Sequence, residues 1–165
     1  MVGISFDLKP DWLLSFVDDV VQVLGAEVHG NANLNTSVNR DVVGVSNFRV
    51  GGNFNLSSAD TAAVQNLTVA GAFTIRGGDV NDRVAIDKTH AGSLYVNLLD
   101  GNDQLALGAK VVVSGSQRLN GGIGTNRLSA KSSLASATVA NFQIGAVNTL
   151  SILDDVLAAI AVQGI

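Results

Sequence analysis

Residues 69–130 hold three near-copies of one sequence: VAGAFTIRGGDVNDRVAI (69–86), HAGSLYVNLLDGNDQLAL (90–107) and VSGSQRLNGGIGTNRLSA (113–130). Each copy contains a Gly, then apolar residues at alternate positions, then a cluster of Gly, Asp and Asn, then a second short apolar tract. This order is typical of a strand, a tight corner and another strand. A repeat of this length predicts a solenoid, in which each coil buries its apolar face by stacking on the next.

A glycine opens the first strand of each copy and extends the repeat beyond these three. The anchors are Gly30, Gly52, Gly71, Gly92 and Gly115. They recur at intervals of roughly 20 residues, a period typical of repeat architectures. The residues two and four positions after each anchor are mostly apolar, so we expect them to share one inward face. These pairs are Ala32 and Leu34, Phe54 and Leu56, Phe73 and Ile75, Leu94 and Val96, and Gln117 and Leu119.

Weaker copies lie at both ends of the chain. Near the C-terminus, Ala140 takes the anchor position in VANFQI, and we expect Phe142 and Ile144 to continue the inward column. A degenerate copy, ISFDL, occupies residues 4–8. The chain is therefore predicted to be an all-β, parallel β-solenoid of about six coils over residues 26–145, with a short amphipathic α-helix at each end.

The two terminal helices are predicted from apolar stretches that resemble each other. Residues 11–24, DWLLSFVDDVVQVL, carry a polar stripe at helical spacing, and LSILDDVLAAIAVQG near the C-terminus shares their LS and DDV letters in the same register. We expect residues 1–25 and 146–165 to act as caps or linkers, because a solenoid must cover the apolar faces of its end coils. Docking to a membrane or a partner is the alternative. The matching ends suggest one unit of a tandem array.

Composition limits the class of function. A formal net charge of −4 argues against nucleic-acid binding, and the absence of Cys excludes disulfides and thiolate-bound metals. An aromatic content of 5% suits stacked aliphatic columns better than a conventional globule. No apolar run is long enough to span a bilayer, and the N-terminus does not match a signal peptide. We nevertheless expect an extracellular or cell-surface location, with this chain as a module of a longer protein.

The corners between repeats resemble a known family. GGDVNDRV (77–84), LLDGNDQL (98–105) and GGIGTNRL (121–128) are similar to degenerate copies of the calcium-binding nonapeptide of RTX (haemolysin-type) repeats in bacterial surface and secreted proteins. None of the three copies is complete. The resemblance implies calcium held between neighbouring corners by Asp carboxylates and backbone carbonyls. The copies here recur at the spacing of whole coils and not of half-coils, so each coil would supply one such corner.

Four aspartates are the candidate calcium ligands, namely Asp79, Asp82, Asp100 and Asp103. Asp82 should stack on Asp103, and Asp79 on Asp100, because successive coils lie about 4.8 Å apart. Calcium takes about 6–8 oxygen ligands and would relieve the repulsion among these carboxylates. The neighbouring coils are expected to place Asn126 above and Ala63 below, with Asp41 isolated in the same column. The alternative is that Asp and Asn serve only as turn formers.

The chain lacks the residues expected of an enzyme. Glu27 is its sole Glu, Tyr95 its sole Tyr, and the two His, His29 and His90, are interpreted as solvated strand-edge residues. A glycosidase needs two carboxylates across a cleft. The predicted function is a non-catalytic structural or adhesive module. The alternatives are a calcium-responsive domain, a self-assembling filament subunit whose neighbouring copies dock through end helices, and a carbohydrate-active β-helix.

Overall fold

The computed structural model describes residues 20–36, 41–57 and 60–145, and every regular element within these residues is a β-strand. All the pairs that these strands form are parallel. In chain order the strands are β1 Val20–Leu24, β2 Glu27–Val28, β3 Ala32–Asn35, β4 Val42–Val50, β5 Phe54–Ser57, β6 Thr61–Arg76, β7 Arg83–Asn97, β8 Gln104–Leu107, β9 Val111–Val113, β10 Gln117–Asn120, β11 Arg127–Ala130, β12 Ala137–Ala140 and β13 Gln143–Ile144.

The strands form three walls around a common interior. The first wall contains β1, the beginnings of β4, β6 and β7, and then β8, β11 and β13. The second wall contains β2, the end of β4, the middle parts of β6 and β7, and β9. The third wall contains β3, β5, the ends of β6 and β7, β10 and β12. This arrangement confirms the predicted all-β parallel β-solenoid.

The solenoid has about five turns, and the predicted six coils are not confirmed. No helix occurs in the described residues, and the predicted C-terminal helix over 146–165 lies outside them. The predicted helix over 11–24 is wrong at its end, because Val20–Leu24 forms β1 and pairs with the start of β4. The backbone hydrogen bonds that Val20–Leu24 forms with the next coil favour a strand there, although the apolar residues are spaced as in a helix. The remainder of that predicted helix lies outside the described residues.

The interior is built from stacked columns of apolar side chains. The predicted inward column is confirmed, since Phe54 pairs with Phe73 and Phe73 with Leu94. The rings of Phe54 and Phe73 are stacked with their centroids 5.2 Å apart and their planes 6° apart, and Phe48 meets Phe54 edge-on. Equal spacing of coils places like side chains directly above one another, so small and branched aliphatic residues can fill the core with few rings.

The anchor glycines form the corner between the second and third walls, which we call the glycine corner. Here the amide of Gly71 donates to the carbonyl of Gly52, and that of Gly115 to Gly92, at 3.0 and 2.7 Å. A Cβ on Gly92 would lie 2.7 Å from the carbonyl oxygen of Gly71, closer than side chains tolerate. The close approach of successive coils therefore requires glycine at Gly52, Gly71, Gly92 and Gly115, whereas Gly30 in the first coil has open space around it.

The last coil differs from the prediction that Ala140 anchors an inward pair of Phe142 and Ile144. Instead, β12 continues the third wall above β10, and Ile144 pairs with Leu128 on the first wall. The reason is that the chain returns to the first wall sooner in this coil, because fewer residues separate Leu128 from Ile144 than separate Leu105 from Leu128. Alternating apolar residues look the same on every wall, so their spacing alone does not identify the wall.

Candidate functional site

The candidate site lies at the corner that precedes each strand of the first wall. We call it the aspartate corner, and its column consists of Asp41, Asp60, Asp82, Asp103 and Asn126. The backbone carbonyl of each of these residues accepts a hydrogen bond from a backbone amide on the next coil. That amide belongs to the first residue of the next coil's strand in the first wall, and the N···O distances are 2.7 to 3.0 Å. The backbone ladder thus fixes the column at the spacing of the coils.

The four predicted calcium ligands divide into two pairs with different surroundings. Asp82 and Asp103 are fully buried in the corner, and the backbone amide of Asp82 donates to Oδ1 of Asp103 at 2.9 Å. This contact places Asp82 next to Asp103 on the neighbouring coil, as predicted. Asp79 and Asp100 are exposed at the surface of the same corner. The fold therefore brings two of the four carboxylates together in the interior.

The coil below Asp82 carries a residue that the sequence analysis assigned wrongly. Thr61 pairs with Arg83, so Asp60 lies beneath Asp82, and Ala63 belongs to the middle of the first wall. Asp41 is likewise not isolated, because Thr61 donates its amide to the Asp41 carbonyl, which puts Asp41 one coil below Asp60. Four successive coils therefore carry Asp in this column. The fifth carries Asn126, in agreement with the prediction for the coil above Asp103.

Side-chain oxygens in the column accept backbone amides in a directional series. Oδ1 of Asn126 accepts the amide of Asp103 at 2.9 Å, just as Oδ1 of Asp103 accepts that of Asp82. The amide group of Asn126 in turn donates to the carbonyls of Gly122 and Asn141, at 3.4 and 3.2 Å. Asp and Asn are interchangeable in the accepting role, because both present a planar oxygen at the same distance from the backbone.

Two buried carboxylate oxygens have no hydrogen-bond partner. They are Oδ1 of Asp82 and Oδ2 of Asp103. The other oxygen of Asp82 accepts the Gly78 amide at 3.1 Å. Since an unpaired buried carboxylate oxygen is costly, each of these two atoms is suited to binding a proton or a cation.

The electrostatic surroundings favour the protonated form of both buried carboxyl groups. Burial, with a smaller contribution from the Asp103 carboxylate, raises the pKa of Asp82 to about 8, although the amide of Gly78 opposes the shift. Burial also raises the pKa of Asp103, against the effect of the Asp82 amide. Asp82 is therefore largely neutral at pH 7 and can donate a hydrogen bond.

The donor set falls short of a complete calcium cage. Within residues 20–36, 41–57 and 60–145, no group of three or more His, Cys, Asp or Glu side chains is arranged to hold a metal ion. Asp82 and Asp103 supply buried oxygens of the correct hard type, but calcium requires about 6–8 ligands. Backbone carbonyls or water would have to provide most of the remainder. Calcium binding at this corner remains a proposal.

Asparagine ladders on the outer surface were missed by the sequence analysis. Asn97, Asn120 and Asn141 are joined by side-chain hydrogen bonds of 3.0 and 2.9 Å across three coils. Asn33 and Asn55 form a similar bond of 2.7 Å at the other end of the third wall. Alignment of the copies on their anchor glycines would have paired Asn33 with Asn55 and Asn97 with Asn120, but not Asn141, because Ala140 is not the equivalent of an anchor. His29 and His90 are exposed.

Comparison with known proteins gives no relative, since no family model, no curated protein and no solved structure matches this chain. The described residues also contain no helix of the length and apolarity required to cross a membrane. The class of the protein is therefore defined by its own geometry. It is a parallel β-solenoid with three walls, a glycine corner and a corner of stacked aspartates.

Proposed function

We propose that this chain is a non-catalytic structural or adhesive module of a bacterial secreted or cell-surface repeat protein. The observation that supports the proposal is the backbone ladder between coils, which runs along all three walls with a register shift between Val69 and Ala72. Strands β6 and β7 pair from Thr61 and Arg83 at one end to Arg76 and Asn97 at the other, through all three walls. Hydrogen bonds directed along the axis on every side resist the shearing of one coil past the next, which is the property required of a stiff spacer.

Exposed side chains reinforce the ladder. The amide of Asn55 donates to Asn33, the hydroxyl of Ser57 donates to Asn35, and the Asn97–Asn120–Asn141 series continues this pattern at the other end. The central amide of that series bonds both the coil above and the coil below, so surface residues add to cohesion between coils. These polar groups are spread along the axis and do not converge on a ligand.

Force spectroscopy on single molecules tests the structural role. The chain is pulled from its two ends between reference domains, and its unfolding should release contour length in steps of one coil or several. Asn120→Ala, which removes two bonds between coils, should lower the unfolding force, whereas Arg118→Ala on the same strand should not. Unfolding without a resolvable force would contradict the proposal. So would turnover of polysaccharides by the purified chain.

A calcium-responsive domain is the second candidate function. It is supported by the two buried carboxylate oxygens without partners, on Asp82 and Asp103, in a corner that resembles the RTX nonapeptide. A cation between these groups would replace the proton that they otherwise bind. Calcium would then link neighbouring coils and stabilise the folded chain in the calcium-rich medium outside a cell.

Thermal melting at pH 8 tests this candidate. Addition of calcium to chelator-treated protein should raise the midpoint by several degrees, because saturation about 100-fold above the Kd stabilises by about 2.7 kcal/mol. Asp103→Asn, which places at this position the residue found one coil above at Asn126, should abolish the rise in midpoint with calcium. Asp79→Asn, at the surface of the corner, should reduce that rise only in part. A midpoint that does not change with calcium would exclude the candidate.

A filament subunit is the third candidate, supported by the apolar ends of the solenoid. The first coil borders a partly open cavity of about 280 Å³ lined by Val21, Val23, Leu34 and Phe48 among others. At the opposite end Ile144 is 74% exposed. Association of these ends, through the terminal segments or directly, would build a head-to-tail assembly. Light scattering should show a mass that grows with concentration, and a constant monomer mass would contradict this candidate.

A further inference from the structure

The outer face of the third wall is positively charged, in a chain whose formal net charge is −4. This wall consists of the strand segments 32–35, 54–57, 73–76, 94–97, 117–120 and 137–140. These segments contain Arg76 and Arg118 and no Asp or Glu. Both arginines alternate with buried core residues, so their side chains point outward, and both are exposed. The third wall therefore presents positive charge that its own strands do not neutralise.

The other two walls combine charges of both signs. On the second wall, Glu27 pairs in register with Arg49 on the next coil. On the first wall, Arg83 and Asp87 occupy outward positions of one strand. Asp79, which follows the third-wall strand of its coil, lies beyond the end of that strand at the aspartate corner. Strands with positive charge alone are thus a property of the third wall, and this face complements an anionic partner.

The two arginines lie on coils that are separated by one further coil. Arg76 pairs with Asn97. Thr74 pairs with Tyr95, and Tyr95 pairs with Arg118. The positions of the two arginines are therefore two coil spacings apart along the axis, roughly 10 Å, with Tyr95 and Asn97 on the coil between them. An extended ligand with acidic groups at intervals fits this arrangement better than a single small anion does.

Uncharged polar side chains fill the face around the arginines. The six residues Thr74, Arg76, Tyr95, Asn97, Arg118 and Asn120 are called the arginine face. The amide of Asn120 donates to Oδ1 of Asn97 at 3.0 Å, and its oxygen accepts from Asn141 at 2.9 Å. These bonds fix the orientation of the Asn120 amide and use one of its two N–H groups. The second N–H remains for a ligand, and little side-chain freedom is lost when it binds.

These features favour an acidic polysaccharide as the partner. Guanidinium groups bind carboxylates through paired hydrogen bonds, side-chain amides bind hydroxyl groups, and the partly buried ring of Tyr95 offers an apolar surface with a polar end. The spread of these groups along the axis suits a polymer. Nucleic acid would need a denser row of positive charges and would be repelled by the net charge of −4. A membrane surface would need exposed apolar residues or a polybasic cluster, and the arginine face has neither.

We propose that the arginine face binds a polysaccharide of uronic acids whose sugar chain lies along the solenoid axis. Carboxylates of two sugars that are not adjacent bind Arg76 and Arg118, and the sugar between them lies over Tyr95 and Asn97. This inference rests on the proposed function, because it names the ligand class of an adhesive module. The structural role of the solenoid does not depend on it.

Binding of the full chain to immobilised polygalacturonate and alginate tests the proposal. Methyl-esterified polygalacturonate is the matched ligand control, because it has the same sugars without their charge. The chain should bind both acidic polymers with an affinity that falls as salt is added, and it should not bind the ester. The double change Arg76→Gln and Arg118→Gln should weaken binding about 100-fold, which is about tenfold for each arginine.

Two further variants separate the arginine face from the overall charge and from the fold. Arg49→Gln with Arg127→Gln changes the net charge equally at exposed positions of the other two walls, and should weaken binding by less than about threefold. Thr138→Glu keeps both arginines and places a carboxylate on the coil next to Arg118. It should weaken binding about tenfold even if the double arginine variant fails to fold, which circular dichroism would reveal.

Several results would overturn the proposal. Equal losses in the two double arginine variants would mean that only the net charge matters. Tighter binding to DNA than to polygalacturonate would assign the face to nucleic acid, and binding to the ester would assign it to neutral sugars. If the chain binds neither acidic polymer but unfolds at a resolvable force, this inference alone is wrong and the structural role stands. If it binds them but unfolds without a resolvable force, the structural role is wrong and this inference stands.

Discussion

The glycine corner and the aspartate corner turn the chain in the same coils but fill their space in different ways. At the glycine corner, successive backbones approach so closely that a Cβ on Gly71 would lie 2.9 Å from the carbonyl oxygen of Gly52. At the aspartate corner, the side chain of Asp103 or Asn126 occupies the space between coils and accepts a backbone amide. Asn31 and Asn53 also accept backbone amides of the next coil at the glycine corner. The difference is that the acceptors at the aspartate corner include the buried carboxylate of Asp103.

This difference predicts how each corner responds to change. The glycine corner should reject larger residues wherever another coil lies beneath the glycine, as at Gly71 and Gly92, and should be indifferent to pH, because the constraint is steric. The aspartate corner should accept the isosteric exchange of Asp for Asn and respond to pH, because its constraint is a hydrogen bond and a proton. Four measurements test the contrast.

Substitution at the glycine corner should have the largest effect. Gly71→Val forces a Cβ against the side-chain oxygen of Asn53 and the carbonyl of Gly52. We expect a loss of about 3–5 kcal/mol in the free energy of unfolding, measured by denaturant titration. Gly30→Val is the matched control in the first coil, where a Cβ meets nothing within 4 Å, and should cost less than about 1 kcal/mol. Equal losses at both positions would contradict the steric explanation.

Removal of a buried acceptor at the aspartate corner should have the second largest effect. Asp103→Ala leaves the buried amide of Asp82 without its partner, which should cost about 2–3 kcal/mol. Asp103→Asn keeps the acceptor and should cost well under half as much. Asp100→Ala, at the exposed surface of the same corner, should change the unfolding free energy by less than about 0.5 kcal/mol. If Asp103→Asn costs as much as Asp103→Ala, the accepting role is wrong.

The aspartate corner should make stability depend on pH. The pKa of Asp82 is about 8 in the folded chain and 3.8 ordinarily, so between these values the folded state keeps a proton that the unfolded state has released. Stability from this group is complete below about pH 4 and is lost as the pH rises towards 8, by about 1–2 kcal/mol after allowance for screening. Asp82→Asn should flatten this part of the pH profile. An unchanged profile in the variant would refute the assignment.

The smallest effect should come from an outer ladder. Asn120→Ala removes side-chain bonds to Asn97 and Asn141, which lie at a partly exposed surface. We expect Asn120→Ala to lower the free energy of unfolding by about 0.5–1 kcal/mol, measured through the shift in thermal midpoint. Arg118→Ala, at an exposed position on the same strand, should have a smaller effect. If Asn120→Ala lowers the free energy of unfolding as much as Asp103→Ala does, the exposed asparagine ladder and the buried aspartate column would be equally stabilising. Burial would then not explain the difference between them.

The candidate site could be predicted only in part from the sequence. The stacking of Asp82 and Asp103 follows from the period, but Ala63 would lie beneath Asp82 only if that coil had the same length as the interval from Gly52 to Gly71. The connection between β6 and β7, before Arg83, is longer than the connection between β5 and β6, before Thr61. Successive coils therefore differ in length at this corner. For this reason Asp60, and not Ala63, lies beneath Asp82.

The amino-acid sequence by itself predicts the architecture of the molecule. Regularly spaced glycines and alternating apolar residues specify coils whose like positions stack, because a parallel ladder aligns equivalent residues at one spacing. The folded chain was needed to show which carboxylates are buried, that β1 is a strand, and that Ala63, Ala85 and Ala106 are buried. These properties depend on contacts between coils and between the faces of the sheet. The spacing of residues along the chain does not show how deeply each corner is buried or what packs over each wall.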